Sequence, residues 1–106
     1  MAPATPWFTP DDALADVTVP MLIYQAEHDA FTPPDHVARV LDQVPDRTQI
    51  THHNIENAGH FSFLSPFPEA MTSPDFPPSQ DPDGFDRVAF QQRMAGEIIA
   101  FLEKTL

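Results

Sequence analysis

Two short apolar stretches with an amphipathic segment between them limit the folds open to this chain more than any other feature. Met21-Leu22-Ile23-Tyr24-Gln25-Ala26 is a nearly continuous apolar run, which suits a parallel strand covered on both faces. Val37, Val40, Leu41 and Val44 then recur at i, i+3, i+4 and i+7 and fall on one stripe of a helix. Thr32 or Pro33-Pro34 can open that helix, because the first turn has no use for proline's missing donor. Pro45-Asp46-Arg47 makes a turn, and the β-branched, half-polar stretch from Thr48 to Ile55 reads as a second strand. Strand, helix and strand in that order predict a βαβ unit with a right-handed crossover and parallel strands. Both strands then end at the same edge of the sheet.

The flanks read differently. Pro3, Pro6, Pro10 and Pro20 each lack a backbone donor, so residues 1–20 are expected to be an extended connector with at most a short helical turn from Pro10 to Ala15. Pro66, Pro68, Pro74, Pro77, Pro78 and Pro82 make residues 61–85 loop-like, while Phe61, Phe63, Phe67 and Phe76 can pack that loop down. Asp83-Gly84-Phe85-Asp86 precedes a final helix over 86–106, whose stripe of Phe90, Met94, Ile98, Phe101 and Leu102 is expected to pack into the core. No internal repeat is present.

A chain of 106 residues allows one small domain, and 42% apolar residues with nine phenylalanines predict a packed one. Sixteen acidic against five basic residues give a net charge of −11, a surface that repels phosphate backbones and anionic lipid headgroups and so argues against nucleic acid as a partner. Asp11-Asp12 and the Asp81, Asp83, Asp86 group read as solvated surface, with a cation site at the second group as the sharper alternative. The absence of cysteine removes disulfides, thiolate metal sites and a cysteine nucleophile. No apolar run reaches transmembrane length, and residues 1–16 carry no export signal.

The chemistry is expected just past the strands. Asp29 follows the first strand and His60 follows the second, and open α/β sheets place their sites at such C-terminal strand ends. An Asp that bonds one imidazole nitrogen fixes the tautomer and leaves the other nitrogen to take a proton from a nucleophile. Glu27 and Glu56 are the alternative acids. Glu27 lies nearer the strand proper, and Glu56 is too close in sequence to His60 to approach from the neighbouring strand, so Asp29 is preferred. Gly59 is expected to let the backbone turn sharply before the histidine. His52 and His53 with His28 invite a metal reading, but adjacent strand residues face opposite sides, so no metal is predicted.

Residues 18–34 resemble the strand and acid loop of α/β-hydrolases, and Asn57-Ala58-Gly59-His60-Phe61-Ser62-Phe63-Leu64 resembles their histidine loop. The ordered set of Phe61-Ser62-Phe63-Leu64, the Pro-rich 66–82 loop and Asp86-Arg87-Val88-Ala89-Phe90 is similar to the dienelactone-hydrolase-like group that also resembles platelet-activating-factor acetylhydrolases. Ala26 stands where that family often has Gly.

The resemblance implies an α/β fold that is the C-terminal part of a hydrolase sheet: two parallel strands, a crossover helix, a long Pro-rich loop and a last helix. It implies Asp29 and His60 as acid and base of a Ser-Asp-His triad acting on esters or lactones, with no cofactor. Triad order in this fold is nucleophile, acid, histidine, with the nucleophile on a G-x-S-x-G elbow. Here no Ser, Cys or Gly precedes Asp29, and the four serines, at 62, 65, 73 and 79, all follow His60. An Asp nucleophile, as in dehalogenase-like or epoxide-hydrolase-like relatives, stays open as the alternative to serine. Met1-Ala2-Pro3-Ala4 resembles the chain just after the sixth strand, which makes Met1 either an internal methionine of a longer enzyme or the start of a truncated gene. The rival expectation is a non-catalytic interaction module that pairs its open sheet edge with itself or with a separate N-terminal half.

Overall fold

The computed structural model describes residue 10 and residues 12–106. The expectations for Pro3, Pro6, Asp11 and the segment Met1–Ala4 lie outside the described residues. The elements in chain order are β1 (Met21–His28), α1 (Asp35–Gln43), β2 (Ile50–Gly59) and α2 (Arg87–Thr105), with single 3-10 turns at Arg47–Gln49, His60–Phe63, Glu69–Met71 and Pro77–Ser79. The described residues form a small α/β fold: two parallel strands with a helix on each face.

The period of two along each strand sends alternate side chains to opposite layers. On one face Ile23 packs with Val37, Val40 and Val44 of the α1 side, joined by Leu14, Met21, Leu41 and Ile50. On the other face Tyr24, Ala26, Ile55 and Ala58 pack with Phe90 of α2, joined by Leu22, Phe63, Phe85 and Met94. Burying each of these valines or isoleucines contributes about 1.5–3 kcal/mol against chain entropy. One layer is aliphatic and the other largely aromatic.

Local chemistry sets the element ends. Pro34 stands at the N-cap of α1 and Asp35 opens its first turn, a placement that proline's fixed φ favours. At the other end Arg47 Nε donates to the Leu41 carbonyl at 3.0 Å, supplying a donor the helix end lacks. Asp46 accepts from the Thr48 amide at 2.9 Å and so holds Arg47–Gln49 in a turn, which is why β2 begins at Ile50 and not at Thr48. Asp86 caps α2 by accepting from the Ala89 amide at 3.0 Å. Ahead of β1, Pro10, Asp12 and Leu14 accept from residues three further on, in successive turns.

One expectation for α2 fails in part. Phe90 is buried and Phe101 half-buried, but Ile98 is 36% and Leu102 43% exposed. A helix with its side chains is about 10 Å across, while the two strands beneath it lie only about 4.8 Å apart. The sheet is too narrow to cover the whole apolar stripe.

Candidate active site

β1 and β2 pair in register from Met21 opposite Ile50 to Ala26 opposite Ile55, and then His28 lies opposite Gly59. Glu27 alone on β1 therefore faces Glu56, Asn57 and Ala58 on β2, an irregularity that bends the strand just before its histidine. The bend sits at Asn57, whose φ is 60°, a left-handed conformation that asparagine tolerates better than most residues. Its side-chain amide donates to the Asp83 carbonyl at 2.8 Å. Gly59, expected to supply the sharp turn, has an ordinary φ of −103°. What it supplies is space: a Cβ there would meet Pro82 Cδ at 3.1 Å.

Past these strand ends Asp29 and His60 come together. His60 Nδ1 lies 3.0 Å from both carboxylate oxygens of Asp29. The Asp29 side chain is almost fully buried, and Oδ1 also accepts from the amides of Phe31 at 2.9 Å and Thr32 at 2.8 Å. Oδ2 accepts from the Thr32 hydroxyl. Burial alone pushes the Asp29 carboxyl up, but the bonds from Thr32, His60 and Phe31 outweigh it and hold it below the usual carboxylate range. An ionised carboxylate can only accept, so Nδ1 carries a ring proton, and in the neutral imidazole Nε2 is then the accepting nitrogen. The imidazole is packed between phenyl rings: Phe31 and Phe61 each have their centroids 5.0 Å from it. Phe31 is exposed and gives the site an apolar rim.

The alternative acids lie elsewhere. Glu27 pairs with His28 Nε2 at 2.9 Å, and Glu56 lines a groove of about 380 Å³ between β2 and the start of α2. His52 meets Gln25 Oε1 at 2.9 Å, while His53 stacks on Tyr24 from the other face of the sheet. Among the described residues no group of three or more His, Cys, Asp or Glu side chains is arranged to hold a metal, and no helix is long and apolar enough to cross a membrane.

Among the described residues no hydroxyl near the pair is offered to His60. The Thr32 proton goes to Asp29. Ser62 is fully buried, accepts from the Gly59 amide at 2.9 Å and donates to Asp81 Oδ1 at 2.6 Å. Asp81 in turn receives a fork from Arg87, Nε to Oδ2 at 2.9 Å and Nη2 to Oδ1 at 3.0 Å. Arg87, also buried, directs further donors at the carbonyls of Pro78 at 3.0 Å and Gln80 at 3.2 Å. Asp81 is thus the acceptor of a buried network rather than solvated surface.

Sequence reasoning placed Thr32 only at the start of the helix and Asp81 only in an acidic surface group, and did not anticipate the bend at Asn57 or the Ser62, Asp81, Arg87 network. The three-residue spacing from Asp29 to Thr32 is a signal of local capping; the network has none, because it joins three segments through the path of a loop. No protein-family model, no curated protein and no solved structure matches this chain.

Proposed function

We propose that Asp29 and His60 are the acid and base of an α/β-hydrolase triad of the dienelactone-hydrolase-like kind, acting on carboxylic esters or lactones, with the nucleophile outside these 106 residues. The observation that supports it most is the saturation of Asp29: its oxygens accept from two amides, a hydroxyl and the Nδ1 side of His60. A carboxylate held in this way orients the ring and stabilises the imidazolium. In the reaction a serine oxygen attacks the carbonyl carbon while Nε2 takes its proton. The alcohol leaves with that proton, and water then repeats the sequence on the acyl-serine. Ser62 and Thr32 do not fit the nucleophile, since both hydroxyl protons are engaged by carboxylates.

The test has two arms. The 106-residue chain alone is expected to turn over activated esters no faster than free imidazole, because nucleophile and oxyanion hole are missing. An in-frame G-x-S-x-G in the coding sequence upstream of Met1 is expected, and in the chain that includes it His60→Ala should lower kcat by about 10³-fold or more. Turnover by the short chain that vanishes in His60→Ala, or an upstream frame without a nucleophile motif, would overturn the reading.

A second reading, an interaction module, draws on β1. Ile23, Tyr24 and Ala26 are buried, yet among the described residues β1 pairs with β2 alone in a sheet of two strands. A strand covered on both faces and open along one edge recruits another strand. On this reading the chain sediments as a dimer or larger species at micromolar concentration; a compact monomer with a cooperative melt would count against it.

A further inference from the structure

We infer that Ser62, Asp81 and Arg87 form a positioning relay that sets the imidazole of His60 against Asp29 from the far side of the histidine turn. The inference rests on the acid and base reading of Asp29 and His60. His60 begins a turn of four residues directly after β2, so the direction of its side chain depends on the peptide that precedes it. The amide of that preceding residue, Gly59, is held by Ser62 Oγ at 2.9 Å. A hydroxyl can rotate, and here its rotation is fixed by donation to Asp81 Oδ1 at 2.6 Å. A carboxylate can also rotate, and here it is fixed by the planar fork of Arg87. Arg87 is the first residue of α2 and is itself anchored on the carbonyls of Pro78 and Gln80.

Two further contacts complete the support. Gln91 Nε2 donates to the Phe63 and Leu64 carbonyls at 3.0 and 3.1 Å, tying the end of the turn to the next turn of α2. Pro82 packs against the space that Gly59 leaves. The relay touches neither Asp29 nor the ring of His60. It acts on the ring through the backbone of Gly59, as supporting residues do where a reactive group must keep its geometry.

The probe is the proton on His60 Nδ1, which a carboxylate bond shifts far downfield of the amides and shields from water. In the 106-residue chain this resonance is expected, and its loss in Asp29→Asn assigns it. Ser62→Ala is expected to leave the amide spectrum of α1 and β1 in place while the Nδ1 proton exchanges with water about tenfold faster or disappears. A wild-type exchange rate in Ser62→Ala overturns the relay and leaves the acid and base pair intact. A wild-type chain without the resonance overturns the pair itself. Should Ser62→Ala fail to fold, Asp81→Asn decides by the same signal, since it keeps an acceptor toward Ser62 but loses the charge facing Arg87. Unchanged exchange in that variant again overturns the relay.

Discussion

The phenol of Tyr24 in β1 donates to Glu97 Oε2 in α2 at 2.5 Å, across 73 positions of sequence. Burial, then the bond to Glu97 and its charge, push the Tyr24 pKa well above the ordinary tyrosine value. A group whose folded pKa is raised gives its full stabilisation below its unfolded pKa, about 10, and loses it as pH climbs beyond. Denaturant midpoints are therefore expected to hold steady up to about pH 10 and fall above it. Tyr24→Phe should lose about 1 kcal/mol at pH 7 and show a shallower alkaline decline. An equal decline in both proteins would reject the assignment.

Asp29 behaves in the opposite sense. Its carboxyl lies below the ordinary range, so the stability it contributes is present above about pH 4 and is lost as pH falls through its folded value. Asp29→Asn should cost about 1.5–3 kcal/mol at neutral pH and flatten the acid limb of the stability curve, measured by urea unfolding at neutral and acid pH. In a chain that includes the nucleophile it should also lower kcat by about 10⁴-fold through the wrong tautomer.

Asn57 combines a left-handed backbone with a bond to the Asp83 carbonyl. Asn57→Gly keeps the backbone freedom and loses the bond, for about 1 kcal/mol. Asn57→Ala loses both and should cost about 2 kcal/mol. If alanine proves the milder change in a denaturant titration, strain at this position is not what sets the bend.

Removing one partner of the buried Asp81 and Arg87 pair leaves the other charge without compensation. Arg87→Met is expected to cost about 3–5 kcal/mol, and Arg87→Met with Asp81→Leu should be less harmful than the two single effects added. A double-mutant cycle is expected to give a coupling of about 1–3 kcal/mol; additive effects would mean the pair is not a unit.

The parts of the fold that depend on near neighbours were legible in sequence. The apolar run opening at Met21 forms β1, and the stripe of Val37, Val40 and Val44 is buried as its spacing requires. The placement of Asp29 and His60 past parallel strands followed from topology alone, and their side chains meet. Features that depend on distant chain were not legible. β2 runs on to Gly59, past the expected end at Ile55, because the bend at Asn57 preserves pairing with His28. Asp81 looked like solvated surface because nothing in its local sequence shows that Arg87 will fold back over it. Ile98 and Leu102 have the spacing of core residues, but periodicity does not report how wide the opposing sheet will be.

β1 leads through the Asp29 loop into α1, while β2 leads through the histidine turn toward α2. Asp29 therefore leads into the helix over the aliphatic face and His60 toward the helix over the aromatic face, while the two strands that bring them together each send side chains to both faces. A shift of β1 along β2, by even a fraction of a residue, would part Asp29 from His60 before either helix had melted. Mutations deep in the Val37, Val40, Val44 cluster, which packs on Ile23 of β1, can thus separate Asp29 from His60 without touching either, and loss of their contact becomes an early sign of the strands losing register.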